Sequence, residues 1–147
     1  MSQQTLHIDP QALKIMVQDA EQSHPNECCG FFYGDENDEH RFIQHSVVVE
    51  NSKEGDQRRR FQISPLDYMK AERYADEKGL KLLGVYHSHP EHPAIPSEHD
   101  RVQAVPYFSY IILSVYGGKL KDTRSYRLNE KQAFDEEKIE NLKVTNL

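Results

Sequence analysis

Apolar side chains recur along this chain at two spacings, which separate predicted helices from predicted strands. Spacings of three and four residues indicate amphipathic helices, whereas short unbroken apolar runs indicate buried strands. The first pattern predicts helices over about residues 10–23, 65–78 and 97–105. The second pattern predicts strands over residues 6–8, 28–33, 41–49, 61–63, 80–87, 107–116 and 119–128. Residues 129–147 mix both patterns, and no definite element is predicted there.

Capping signals indicate where two of these helices begin and end. Asp9-Pro10 and Ser64-Pro65 each place a side-chain acceptor before a proline at the first helical position. The first helix is expected to end at His24-Pro25-Asn26 and the second at Gly79. The inner face of the second helix is expected to carry its apolar side chains, which are Leu66, Met69, Ala71, Tyr74 and Ala75.

The order of the elements predicts the fold class. Strands that alternate with three helices are typical of an α/β layered domain, and 147 residues are the usual size of a single domain. Gly117-Gly118 is predicted to form the hairpin turn between two strands. Residues 51–60 are the most polar segment and are predicted to form an exposed loop.

Composition argues against several classes of function. The net charge of −6 disfavours nucleic-acid binding, and the basic run Arg58-Arg59-Arg60 is too short to change this. No apolar run approaches 18 residues, and residues 1–5 lack the features of a signal peptide, so no membrane association is expected. Cys28 and Cys29 are adjacent and have no other cysteine to pair with. They are expected to pack as small apolar side chains in a protein of the cytoplasm, a reducing compartment.

Residues 84–100 concentrate the candidate chemistry, because they hold four of the eight histidines. An apolar strand ends in His87-Ser88-His89, and alternation along a strand places both imidazoles on one face. Asp100 follows a loop with three prolines, at the start of a predicted helix. Two histidines and a carboxylate around one ion leave a position for water, which is typical of a catalytic zinc site. Zinc lowers the pKa of such a water to about 7.

Each half of this pattern has a simpler explanation when it stands alone. His-x-His pairs also occur without metal, and Ser97-x-x-Asp100 is the signature of a helix capping box. If Asp100 binds zinc, it is not expected to serve fully as the reciprocal carboxylate of that box. The combination of both halves at the end of an apolar strand is what favours a metal site.

The combined pattern, His87-Ser88-His89-Pro90-x6-Ser97-x2-Asp100, resembles the motif of the JAMM, or MPN-plus, metalloproteases. That family also has a glutamate ahead of an upstream apolar strand, and Glu27 matches this position. The resemblance covers about residues 5–130, and the short length resembles the bacterial, stand-alone branch. It implies a curved mixed sheet with helices on both sides, similar to the cytidine deaminase arrangement.

The resemblance also implies the roles of the site residues. One zinc ion per chain is expected, held by His87, His89 and Asp100. Glu27 is expected to be the general base, and Ser97 is expected to stabilise the oxyanion while it caps a helix. Ser88 points away from the ligands and is expected to be structural.

The implied substrate is a ubiquitin-like protein. JAMM proteins cut amide bonds after a Gly-Gly tail, and the short bacterial members resemble enzymes that act on sulfur-carrier proteins of thiamine, molybdopterin or cysteine synthesis. Removal of a residue or extension after Gly-Gly is therefore expected, with the tail bound by β-augmentation and the 51–60 loop as a docking surface. The alternatives are a deubiquitinase-like isopeptidase and a non-catalytic MPN scaffold, the latter disfavoured by the full ligand set. Another zinc hydrolase is disfavoured because His-Glu-x-x-His and Pro-Cys-x-x-Cys are absent.

Overall fold

The computed structural model describes residues 4–140, in which three helices flank an eight-stranded sheet. The helices are α1 (Pro10–Ser23), α2 (Pro65–Lys78) and α3 (Glu98–Gln103). The strands are β1 (Thr5–Ile8), β2 (Cys29–Glu36), β3 (His40–Val49), β4 (Lys81–Pro90), β5 (Ser109–Tyr116), β6 (Lys119–Leu128), β7 (Phe134–Glu137) and β8 (Ile139–Glu140).

The sheet is mixed, as the family resemblance implied. Its strand order is β7-β6-β5-β4-β2-β3-β1-β8. The β1–β3, β1–β8 and β4–β5 pairs are parallel, and the other pairs are antiparallel. Strand β4 therefore lies in the interior of the sheet, with β2 on one side and β5 on the other. At Gly84 a Cβ atom would lie 1.9 Å from the carbonyl oxygen of Ser109, so only glycine allows this close approach of β4 and β5.

Two apolar cores cover opposite faces of the sheet. On one face the buried side of α1, including Leu13 and Met16, packs with Phe32 and Tyr86. On the other face Ala71 and Ala75 of α2 pack with a second group of strand residues, which includes Phe31, Val85 and Tyr110. Helices thus pack on both sides of one mixed sheet, and the predicted fold class is confirmed.

The predicted helix boundaries are confirmed by their caps. The Asp9 side chain accepts a hydrogen bond from the Gln11 amide at 2.9 Å, and α1 covers the expected residues. The Ser64 side chain accepts one from the Asp67 amide at 3.1 Å. Helix α2 ends at Gly79, whose φ of +66° is a conformation that glycine adopts without strain.

Three expectations about local structure are wrong. Residues 61–63 form no strand, because the Gln62 amide bonds to the Asn51 side chain and the Gln62 carbonyl to Ser52. Leu66 and Met69 are 55% and 52% exposed, since only the two alanines of α2 lie close enough to the sheet to be buried. Strand β2 continues to Glu36, three residues beyond its predicted end at residue 33.

Residues 129–147, for which the sequence predicts no definite element, contain the two edge strands of the sheet, β7 and β8. Residues 141–147 of this stretch lie outside the described residues, as do residues 1–3 of the segment considered for a signal peptide. Within residues 4–140, no helix is both long enough and apolar enough to cross a membrane.

Candidate metal centre and active site

The end of β4 carries the two predicted histidine ligands. His87 is paired with Cys29 on β2 and with Ile112 on β5, so its backbone is fixed from both sides. Alternation along β4 puts His87 and His89 on the same face, with ring centroids 5.1 Å apart. Ser88 faces the other way and accepts a hydrogen bond from the Cys28 amide at 2.8 Å. Its expected structural role is supported by this contact.

The first turn of α3 brings Asp100 to the two histidines. Its Oδ2 atom lies 3.1 Å from Nε2 of His89, and its Oδ1 atom lies 3.8 Å from Nε2 of His87. Each of the three side chains offers one ligand atom, and these atoms all lie within 4.8 Å of one another. Zinc–nitrogen bonds of about 2.0–2.1 Å in a tetrahedron separate neighbouring ligand atoms by roughly 3.3 Å. The three predicted ligands therefore form a buried cluster of the right size for one ion.

The side chain of His87 provides a test of whether the cluster fits a cation. The ring is 1% exposed, and within residues 4–140 neither of its nitrogens has a hydrogen-bond partner. Burial of polar groups without partners is costly, so proteins normally satisfy them. Phe61 stacks on the ring with centroids 4.4 Å apart and holds it in place. A divalent cation beside His87 would satisfy the lone pair that no protein donor meets.

His89 is oriented by a contact outside the cluster. Its Nδ1 atom lies 2.9 Å from the carbonyl oxygen of Pro93. A carbonyl only accepts, so Nδ1 carries a proton, and Nε2 faces Asp100. A backbone carbonyl behind a ligating imidazole is the usual arrangement around protein-bound metals.

Asp100 uses its two carboxylate oxygens differently. Oδ2 accepts a hydrogen bond from the Ser97 amide at 2.9 Å, and the Asp100 amide donates to Oγ of Ser97 at 3.0 Å. These two bonds form the predicted capping box of α3. Oδ1 is directed towards His87 and carries no capping bond, so it remains available to an ion, and the expected competition between capping and metal binding stays a prediction.

Electrostatics give His87 and Asp100 the charge states that a metal site needs, whereas they favour the protonated form of His89 until an ion replaces that proton. Burial is the main effect on His87 and lowers its pKa to about 4, so the ring is neutral at pH 7. Burial acts to raise the pKa of Asp100, but the nearby His87 and the hydrogen bond from His89 hold it well below its usual value. Burial also opposes a charge on His89, but the bond and charge of Asp100 outweigh it and raise the pKa. A neutral imidazole and an ionised carboxylate are the forms that bind metals.

Glu27 lies two residues before β2, with its Oε1 atom 3.9 Å from Nδ1 of His87. The residue is 7% exposed. Burial raises its pKa to about 8, the charge of Asp100 adds to this shift, and His89 and Arg60 oppose it. The predicted base is therefore brought to the predicted ligands from a position 60 residues earlier than His87. Its pKa lies in the range that suits proton transfer near neutral pH.

A cleft of about 510 Å³ opens at the cluster. Its lining residues are Glu27, Arg59, His89, His92, Pro93, Ile95 and Ser97. The hydroxyl of Ser97 accepts the helix-capping bond, and its own proton has no acceptor among the described residues. Ser97 therefore reaches the cleft with a donor still available, as its expected role requires.

The remaining sequence candidates lie apart from the cluster. His99, another histidine of the 84–100 stretch, bonds to Gln103 at 2.9 Å on the surface of α3. Cys28 and Cys29 are buried free thiols in the two apolar cores, as predicted. Two neighbours of the site were not predicted from sequence: Phe61, which stacks on His87, and Asn51, whose side chain bonds to the Glu27 carbonyl. Neither has a local sequence signal, since both contacts join distant segments.

Comparison with known sequences identifies two relatives. A probable TtuB-protein conjugate cleaving protease of Thermus thermophilus is 42% identical over 53 residues, which is 36% of this chain and 36% of that protein. The aligned region thus spans about a third of that relative. The desampylase of Pyrococcus furiosus is 31% identical over 115 residues, 77% of this chain and 74% of the relative.

Comparison with solved structures agrees with the fold described above. A protein of Desulfitobacterium hafniense has a TM-score of 0.79 and 28% identity, over 91% of this chain and 90% of that one. A protein of Salinibacter ruber has a TM-score of 0.69 and 31% identity, over 95% and 93% of the two chains. A JAB1/MPN domain protein of Archaeoglobus fulgidus has a TM-score of 0.56 and 20% identity, over 90% and 97%, and supports the fold alone.

The family of this chain follows from a sequence match that covers most of its length. The model of the prokaryotic homologs of the JAB domain matches residues 9–129, which include the histidine pair, Asp100 and Glu27. Together with the 31% identity to the Pyrococcus furiosus desampylase, this match shows that the chain belongs to the family of prokaryotic homologs of the JAB domain.

Proposed function

We propose that this protein is a zinc-dependent peptidase or isopeptidase that hydrolyses the amide bond after the Gly-Gly tail of a ubiquitin-like protein. The observation that carries the proposal is the buried cluster of His87, His89 and Asp100, with Glu27 beside it in an open cleft. The names of the two relatives, a probable TtuB-protein conjugate cleaving protease and a desampylase, support cleavage of a ubiquitin-like protein conjugate.

The three clustered side chains would hold the ion, one per chain. Two imidazoles and one carboxylate are a donor set that suits zinc, and three protein ligands leave a position open for solvent. When bound, zinc would lower the pKa of a water molecule to about 7 and polarise the substrate carbonyl.

Glu27 would carry the proton during the reaction. Its carboxylate would accept a proton from the attacking water and later donate one to the leaving amine. Burial raises the pKa of Glu27 in the metal-free site, and a cation in the cluster would lower it again towards the ionised form that accepts a proton. The hydroxyl of Ser97, which lines the same cleft, would donate a hydrogen bond to the oxygen that becomes negatively charged.

The fold limits how the tail of the substrate binds. Strand β4 is paired with β2 up to His87 and with β5 up to Pro90, so a tail could add directly to it only beyond His87 on the β2 side. The tail would lie in the cleft between residues 93–97 and the 51–60 loop, and its β-augmentation at a sheet edge near the metal stays a prediction. A narrow Gly-Gly segment suits this path because it has no side chains to accommodate.

The proposal also covers which ubiquitin-like protein is the substrate. We place a sulfur-carrier protein of the ubiquitin fold first and ubiquitin itself second. A test incubates the zinc-loaded enzyme with a sulfur-carrier protein that bears one residue after Gly-Gly, with a lysine-linked conjugate of it, and with diubiquitin, and follows the intact masses. Cleavage directly after Gly-Gly in the wild type, with at least a 100-fold loss in Glu27→Gln, is the expected result. Absence of any cleavage by zinc-loaded enzyme would contradict the proposal.

A further inference from the structure

A guanidinium without an ion-pair partner lies at the active-site cleft. Arg59 lines the cleft together with Glu27 and Ser97, and no carboxylate among residues 4–140 lies within 4.0 Å of it. Some surface arginines find partners, such as Arg124 with Asp122 at 2.8 Å, and others such as Arg58 do not, so the position of Arg59 in the cleft lining is what distinguishes it. In a chain of net charge −6, an unpaired arginine at the cleft is a candidate receptor for an anionic group.

The side-chain amide of Asn51 joins the two ends of the loop that carries Arg59. Nδ2 of Asn51 donates to the carbonyls of Glu27 and Arg60, each at 3.1 Å. Its Oδ1 atom accepts from the amides of Lys53 and Gln62, each at 3.0 Å. These four bonds use the full hydrogen-bonding capacity of an asparagine. The two ends of the loop are therefore fixed to each other and to the backbone of the base.

A second contact joins the middle of the loop to the base. The Glu27 amide donates to the carbonyl of Gln57 at 2.7 Å, and the Gln57 side chain donates to the carbonyls of Asn51 and Lys53. Arg59 is two residues from this contact. Its backbone is thus positioned with respect to Glu27 before any substrate arrives, and less ordering entropy is lost on binding.

We propose that Arg59 binds the α-carboxylate of a single terminal residue that follows the scissile bond, so that the enzyme prefers such substrates over lysine-linked conjugates. The inference rests on the proposed function. In the hydrolysis, water supplies the hydroxyl that bonds to the glycine carbonyl carbon, the carbon–nitrogen bond breaks, and the amine leaves with the added proton. The α-carboxylate takes no part in this exchange.

The geometry of the leaving group links this carboxylate to Arg59. The leaving nitrogen must approach Glu27 to receive its proton. In a terminal amino acid the α-carboxylate is attached to the carbon that bears this nitrogen, so it lies on the same side of the cleft. Arginine pairs with carboxylates through two parallel hydrogen bonds, which also fix orientation. A lysine side chain joined by an isopeptide bond has only methylene groups at that distance.

The test compares substrates that differ only in this carboxylate. A ubiquitin-like carrier ending in Gly-Gly-Ala is prepared as the free acid and as the C-terminal amide, and kcat/KM is measured for each with zinc-loaded enzyme. We expect the wild type to prefer the acid at least tenfold and Arg59→Gln to reduce the ratio to near one, mainly through KM for the acid. Arg58→Gln, a matched change in the same basic run outside the cleft lining, should keep the preference.

Equal rates for acid and amide in the wild type would overturn the inference while leaving the proposed function intact. A preference retained in Arg59→Gln, or lost equally in Arg58→Gln, would also overturn it. If neither substrate is cut, the proposed function fails, and the inference is then decided by binding. Fluorescence anisotropy of labelled Gly-Gly-Ala acid and amide peptides should show tighter binding of the acid that Arg59→Gln removes. Absence of this difference would reject the role of Arg59.

Discussion

The side-chain amide of Asn51 donates a hydrogen bond to the backbone carbonyl of Glu27 at 3.1 Å. A loop residue 24 positions away thereby holds the segment from which the candidate base projects. The same amide also donates to the backbone carbonyl of Arg60, so one side chain is bonded both to the segment of the base and to the end of the 51–60 loop. The position of Glu27 thus depends on contacts well outside the metal cluster.

Asn51→Asp should lower kcat and leave the zinc content unchanged. The aspartate keeps the acceptor but loses the two donors, and its charge repels the carbonyls of Glu27 and Arg60. We expect a fall of about tenfold to 100-fold in kcat, with a shifted pH profile because the carboxyl of Glu27 is displaced. Ser52→Ala removes a loop bond to the carbonyl of Gln62 but none to Glu27, and it should keep the wild-type profile. A wild-type kcat and profile in Asn51→Asp would show that the amide does not position the base.

His87→Ala should abolish stable zinc binding. The variant removes one of three ligands, and the remaining pair, His89 and Asp100, is joined to each other at 3.1 Å. Metal analysis of the purified protein should fall from about one zinc ion per chain to a small fraction of that value. His92→Ala changes a histidine of the cleft outside the cluster and should retain the ion. Equal zinc contents in the two variants would refute the ligand assignment.

Ser97→Gly should separate the two roles of this serine. Glycine is tolerated as a helix N-cap at a cost of only a few tenths of a kcal/mol, whereas alanine costs about 1 kcal/mol. Both variants lack the hydroxyl, so both should lose about 100-fold in kcat if it stabilises the oxyanion. Thermal melting should therefore distinguish glycine from alanine, while turnover should not. Near-normal turnover in Ser97→Gly would assign the hydroxyl to capping alone.

Removal of the metal should make stability depend on pH through Glu27. Its folded-state pKa of about 8 lies above the ordinary value of 4.5, so the folded protein holds this proton more tightly than the unfolded chain. This contribution to stability is complete below about pH 4.5 and is lost as the pH rises through 8. In metal-free protein, Glu27→Gln should thus gain a few °C in Tm relative to the wild type between pH 5 and pH 8.

The control for this titration is Glu72→Gln, which removes an exposed carboxylate from α2. Its Tm is measured over the same range as the reference for removal of one exposed carboxylate. A Tm difference between Glu27→Gln and the wild type that does not change with pH would contradict the raised pKa of Glu27.

Local signals in the sequence were sufficient for the helices and for the ligand strand. Caps such as Asp9 and Ser64 act on adjacent amides, and alternation along β4 fixes the relative directions of its histidines. These features depend on neighbours within a few residues, so the sequence alone reveals them. The capping box of α3 was predicted on the same basis.

Features that depend on distant segments were not predictable. Arg41 has the appearance of an ordinary charged strand residue, yet it is fully buried and donates to the carbonyls of Leu83 and Tyr107 and to Ser109. Phe61 was assigned to a strand, but it instead packs on His87. The partners of Arg41 and Phe61 come together only in the folded sheet, so no local sequence pattern predicts these contacts.

The carbonyl of Pro93 and the amide of Ser97 hold His89 and Asp100 through bonds that involve no ion. Two of the three candidate ligands are thus oriented by the backbone itself. We therefore expect the fold to withstand a chelator, in contrast to small zinc modules that acquire their structure from the ion.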